Sequence, residues 1–140
     1  MLDVFCGTGA LGLEAISRGA AGCVFIDRDK TSLATARQNA ENFHIDTGLD
    51  FILRDAAKLG PKPAHIPAAN LAFVDPPYRK GLIAPALAAL AQNGWLAPSA
   101  LGVLESETRI ADDELSLLPF DLLDKRPYGD SVVRIVRYTG

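Results

Sequence analysis

Apolar and polar residues fall into two alternating kinds of block along this chain. Short apolar runs that read as buried strands occupy residues 2–5, 23–26, 49–53, 71–74 and 100–105. Segments with helical spacing lie between them. Residues 10–18 predict a helix stopped by Gly19. Asp29 is placed to cap a helix over 30–43, where Leu33, Ala36, Ala40 and Phe43 share a face. An Ala/Leu-rich helix over 82–92 ends at Asn93-Gly94, and a short one is expected over 112–117. The stretch 57–70 carries Pro61, Pro63 and Pro67 and reads as loop after one helical turn. Residues 122–126 and 132–138 alternate about Tyr128-Gly129-Asp130, which predicts a closing antiparallel hairpin. Strands that alternate with helices predict an α/β fold with a parallel sheet.

Composition narrows this picture little. The chain has 140 residues, 49% hydrophobic and 22% charged, which suits one domain with an ordinary core. No apolar run approaches the roughly 20 residues of a membrane span. Cys6 and Cys23 sit beside apolar residues and are expected as small buried packing groups, with no disulfide and no metal. His44 and His65 are read as surface residues. The net charge of −3 argues against a grip on nucleic acid by bulk electrostatics alone. Arg79-Lys80 and Lys125-Arg126, with Arg134 and Arg137, are local basic groups, each read singly as ordinary solvated charge.

The first strand–helix junction carries the first chemistry. Gly7, Gly9 and Gly12 match a G-x-G-x-x-G spacing between a strand and a helix. Such a loop turns tightly, admits a ligand close to its backbone, and leads into a helix N-terminus with free N–H groups. Asp27 ends the second strand and can accept both hydroxyls of a ribose. Asp55 follows the third strand, in reach of an adenine amine, although capping the next turn would use it equally well. Arg28 and Ala56, beside these acids, complete the expected cofactor-binding set. Asp3 lies inside strand one, a poor place for a bare charge. Its carboxylate is expected to receive N–H groups of the glycine loop.

These features fit a dehydrogenase and a methyltransferase alike. Asp75-Pro76-Pro77-Tyr78, directly after the fourth strand, separates them. Two prolines stiffen the turn. An exocyclic amine is a poor nucleophile because its lone pair is delocalised into the ring. Hydrogen bonds from that amine to the Asp75 carboxylate and the Pro76 carbonyl would favour a pyramidal nitrogen with its lone pair aimed outward. Tyr78 would stack on the base and exclude water. Asp75, Pro76 and Tyr78 are therefore the candidate catalytic residues, acting by orientation and electrostatics.

Phe5-Cys6-Gly7-Thr8-Gly9-Ala10-Leu11-Gly12-Leu13-Glu14-Ala15, Asp75-Pro76-Pro77-Tyr78, Asn93-Gly94-Trp95-Leu96 and Glu105-Ser106-Glu107 together resemble the RsmD family of bacterial methyltransferases. The likeness extends over nearly all of the chain and includes Tyr128-Gly129-Asp130. It implies a Rossmann-like class I fold with a mostly parallel seven-stranded sheet, S-adenosyl-L-methionine as cofactor, and methyl transfer to a guanine N2 of 16S ribosomal RNA. The implied roles are Asp75 as catalytic carboxylate, Asp27 on the ribose and Asp55 near the adenine. The expected partner is 16S ribosomal RNA or the small ribosomal subunit, met in the cytoplasm by a monomer with no membrane or metal. Family members carry several dozen residues ahead of the glycine loop, so residues 1–140 are expected to be one methyltransferase domain that starts late. A non-catalytic cofactor-binding module, a DNA adenine-N6 enzyme and a protein glutamine enzyme are the alternatives.

Overall fold

A computed structural model describes residues 1–77, 81–107 and 112–140. They form one seven-stranded sheet in the order β3-β2-β1-β4-β5-β7-β6. The strands are β1 (Leu2–Val4), β2 (Cys23–Asp27), β3 (Leu49–Leu53), β4 (Ala69–Val74), β5 (Leu96–Glu107), β6 (Phe120–Tyr128) and β7 (Ser131–Tyr138). The first five run parallel. The last two are antiparallel, joined across Gly129-Asp130. The helices are α1 (Ala10–Ser17), α2 (Lys30–Asn42), α3 (Ile83–Gln92) and α4 (Asp112–Ser116), with a 3₁₀ turn at Ala56–Lys58.

The period-two pattern places the even-numbered residues of the parallel strands on one face and the odd-numbered on the other. Leu2, Val4, Val24, Ile26, Ala72, Val74 and Leu104 join Ile83, Ala86, Leu87 and Leu90 of α3 in the larger core. Cys23 and Phe25 join Leu13 of α1 and Leu33, Ala36 and Ala40 of α2 in the smaller one. Both cysteines are free and buried, as expected. Neither core includes Leu71, Phe73, Leu101, Val103, Val133 or Ile135, which are half-buried on the odd face of β4, β5 and β7.

Several boundaries differ from the pattern-based reading, each for a local reason. β1 stops at Val4 because Phe5 turns to φ 59°. β5 begins at Leu96 because its register with β4 jumps between the pairs Ala69/Leu96 and Leu71/Leu101, and Ser99 at φ 62° lies in that irregularity. β6 extends through Pro127, which an edge strand tolerates. The Pro-rich loop after the 3₁₀ turn buries Leu59 and Ile66 in the larger core, and Trp95 donates its indole N–H to Gly60 O at 2.8 Å. Arg134 corrects the reading of solvated charge: it is 1% exposed, and its Nη1 donates to Ser106 Oγ at 2.9 Å. His44 and His65 are exposed, with His65 against Asp50 at 3.3 Å.

Candidate active site

Strand order reverses between β1 and β4, so the loops after these two strands diverge and leave a crevice at their carboxyl ends. A hollow of about 420 Å³ lies there, lined by Phe5, Gly7, Asp27, Asp75, Pro76, Pro77 and Glu105. A larger hollow, about 590 Å³, opens at the opposite end of the sheet around Met1, Gly22, Gly48 and Ala69. Asp50 is the one carboxylate among its described lining residues, and the convergent polar groups stand at the smaller one.

The glycine loop is built by three different demands. Gly9 is the N-cap of α1 at φ 79°, and a Cβ on it would stand 2.9 Å from the Ala36 Cβ of α2. A Cβ on Gly12 would stand 2.5 Å from the Phe25 ring and 2.7 Å from Cys23 Sγ. These two glycines let α1 settle on β2 and α2. Gly7, at φ 54°, has nothing within 4 Å of the place a Cβ would take, and it faces the hollow. Only this glycine leaves room for a ligand.

Two buried or half-buried acids hold the loop from below. Asp3, 2% exposed, accepts the Gly12 N–H at 3.0 Å, as its place in β1 required. Burial pushes its carboxyl up to about 7; the Gly12 hydrogen bond opposes this, and the charges of Asp75 and Asp27 add to it. Asp27 accepts from Gly7 N at 3.0 Å and from Asp29 N at 2.9 Å. Each oxygen thus already has one backbone donor and keeps further acceptor capacity for a hydroxyl. Asp29 caps α2 through Thr31 N and Ser32 Oγ.

At the other wall, Asp75 follows β4, its N–H reaching Val4 O at 3.4 Å. The side chain is exposed at the mouth. Its carboxyl is nonetheless raised above the ordinary value, first by partial desolvation and then by the charge of Glu105. Pro76 is buried and Pro77 exposed. Tyr78, the expected stacking ring, lies outside the described residues together with Arg79 and Lys80.

The structure therefore brings Gly7, Asp27, Asp75 and Pro76 around one hollow, with Asp3 beneath it. Gly9 serves packing. Asp55 caps the 3₁₀ turn through Ala57 N at 3.0 Å, Ala56 is 3% exposed in the larger core, and Arg28 is exposed beside Asp27. None of these three lines the hollow. Sequence reasoning gave no role to Phe5 or Glu105. Phe5 holds a left-handed backbone that a bulky residue adopts only under strain. Glu105 carries the same signal that singled out Asp27, an acid at the carboxyl end of a parallel strand.

A hollow with an open glycine at one side and the acids Asp27, Asp75 and Glu105 around it fits a cofactor that joins a ribose to a cationic group. The architecture is the Rossmann-like fold of the S-adenosylmethionine-dependent methyltransferases. A structure of a Haemophilus influenzae protein described as a candidate methylase superposes with a TM-score of 0.83 at 28% identity, covering 99% of this chain and 86% of that one. Residues 1–137 match the family described as Conserved hypothetical protein 95. The chain belongs to that family, the RsmD family. It is 40% identical over 113 residues to ribosomal RNA small subunit methyltransferase D of Escherichia coli K12, covering 76% of this chain and 52% of that protein. The protein of the same name from Haemophilus influenzae is 33% identical over 107 residues, covering 76% and 55%. The chain thus spans about half the length of these curated relatives.

Proposed function

We propose that this chain transfers a methyl group from S-adenosyl-L-methionine to the exocyclic N2 amine of a guanine in 16S ribosomal RNA, in the cytoplasm and as a monomer. The observation that carries the reading is the stiff Asp75-Pro76-Pro77 corner on the same hollow as Gly7 and Asp27. The names of the relatives support ribosomal RNA as the substrate class.

Bound in the hollow, the cofactor supplies an electrophilic methyl group on a positively charged sulfur. Gly7 would leave space for it, Asp27 would offer lone pairs to its ribose, and Asp55 and Ala56, which follow β3 at the same sheet edge, would hold its adenine. The acids at the hollow favour its positive charge. On the other side, the Asp75 carboxylate and the Pro76 carbonyl would accept the two hydrogens of the target amine. That holds the nitrogen pyramidal and aims its lone pair into the hollow. A carboxylate whose proton affinity is raised is also a better acceptor for the proton that the alkylated nitrogen must shed.

The test is tritium transfer from labelled cofactor to small ribosomal subunits that lack the modification, followed by digestion to locate the labelled base. Asp75→Ala is expected to lower the transfer rate by about 100-fold or more and to leave S-adenosylhomocysteine affinity nearly unchanged. Asp27→Ala is expected to weaken that affinity by about 1.5–3 kcal/mol. Equal losses of rate and affinity in Asp75→Ala would refute its role, and binding without transfer to any RNA would leave a non-catalytic cofactor module.

A further inference from the structure

We infer that Glu105 reads the ring N–H of the target base and so makes the site specific for guanine; the inference rests on the guanine-amine reading above. Asp75 and Glu105 each stand one residue beyond the register pair Val74/Leu104 on the adjacent parallel strands β4 and β5. They are therefore neighbours at one level of the sheet edge. Both line the hollow, and the charge of one raises the proton affinity of the other. Among the described residues no hydrogen bond or ion pair engages either carboxylate group.

Two adjacent carboxylates offer acceptors only. A base edge that satisfies both must present two adjacent donors. Guanine alone among the four RNA bases does so, with its N2 amine beside the N1–H. Adenine and cytosine place a ring-nitrogen lone pair next to their amines, and uracil has a ring N–H but no amine. With Asp75 on the amine, Glu105 is the group that meets the next position. It would accept from the guanine N1–H and repel the lone pair of adenine or cytosine. An acceptor that the wrong base leaves unpaired or opposed by a lone pair discriminates against that base. Glu105 would thus touch the substrate as a specificity-determining group, leaving Asp75 and Pro76 to hold the amine.

The experiment uses a synthetic RNA segment around the guanine that the enzyme labels, and the same RNA with 2-aminopurine there. That analogue keeps the N2 amine, replaces the N1–H by a lone pair and lacks O6, so the Glu105 variant assigns the preference to the N1 position. The wild-type chain is expected to favour guanine by about 10- to 100-fold in kcat/KM, the scale of one hydrogen bond to a charged group. Its affinity for the two RNAs, measured with S-adenosylhomocysteine bound, should differ in the same direction. Glu105→Gln, whose amide can donate as well as accept, should slow transfer to guanine and bring the two RNAs within about threefold. Comparable wild-type rates on both RNAs overturn the inference while guanine methylation stands. So does a Glu105→Gln variant that keeps the full preference. Absence of methylated guanine in any RNA overturns the functional reading and this inference with it. If Glu105→Gln fails to fold, Glu105→Ala replaces it and should likewise bring the two RNAs within about threefold.

Discussion

Asp3 sets the clearest single-residue expectation. Its carboxyl rises from 3.8 to about 7 on folding, because burial outweighs the Gly12 hydrogen bond. The folded chain therefore binds this proton more tightly than the unfolded one. The resulting stability is fully present below about 3.8 and is lost as pH rises through about 7. Between about pH 5 and pH 7 the loss is at most about 1.4 kcal/mol per pH unit. Asp3→Asn removes the titration and keeps an oxygen for the Gly12 N–H. Melting curves of the variant should be flatter across that window, and near pH 8 it should be at least as stable as the wild type. Parallel curves for both proteins would mean that the proton is not taken up at Asp3. The burial of Asp3 is readable from its place inside a strand, and so is its use of the loop. The size of the effect is not, because it depends first on how fully the folded chain desolvates the carboxyl and then on Asp75 and Asp27 converging from two other strands.

At the scale of elements, the site depends on how closely α1 lies against β2. Gly12 permits that contact and Gly7 does not take part in it. The two glycines look alike in the sequence motif, so substitution should separate them. Gly12→Ala drives a methyl group into the Phe25 ring and is expected to destabilise the fold by about 1–3 kcal/mol, the range for overpacking. Gly7→Ala has space for its Cβ and meets only the left-handed backbone, at about 1 kcal/mol. Its main effect should fall on S-adenosylhomocysteine affinity, because the methyl group would occupy the hollow. Denaturant titration and calorimetry on both variants check this, and the reverse ranking would refute the division. Pattern and spacing placed the elements because apolar periodicity and turn residues are local properties. The ends of β5 and β6 escaped that reading. Register with a neighbouring strand, a non-local property, decides where they begin and stop.

For the whole molecule, charge and sheet edge set the terms of the RNA binding proposed above. Lys and Arg number 14 against 17 Asp and Glu, and the hollow itself is acidic. Few phosphates can be neutralised by such a surface. Affinity for unrelated RNA should fall with salt along a shallow log–log slope, about −2 or smaller in size. Anisotropy titrations at several salt concentrations measure it, and a slope near −5 would reveal a concentrated cationic path. Under the proposed function, base recognition would then rest on the acidic corner more than on the backbone grip, in line with the role inferred for Glu105.

The sequence by itself determined the alternation of strands and helices, the glycine turn with its acid beneath, the acids at strand ends, and the Pro-stiffened corner after the fourth strand. These follow from periodicity, from backbone restriction and from the penalty on a bare charge in a strand, all of which act over a few residues. Only the tertiary structure decided that β4 lies beside β1, which sets Asp75 across the hollow from Asp27. It also placed Glu105 beside Asp75 and drew Arg134 out of solvent onto Ser106. Those outcomes depend on strand order and register, which bring together residues dozens of positions apart for reasons of packing that no local pattern carries.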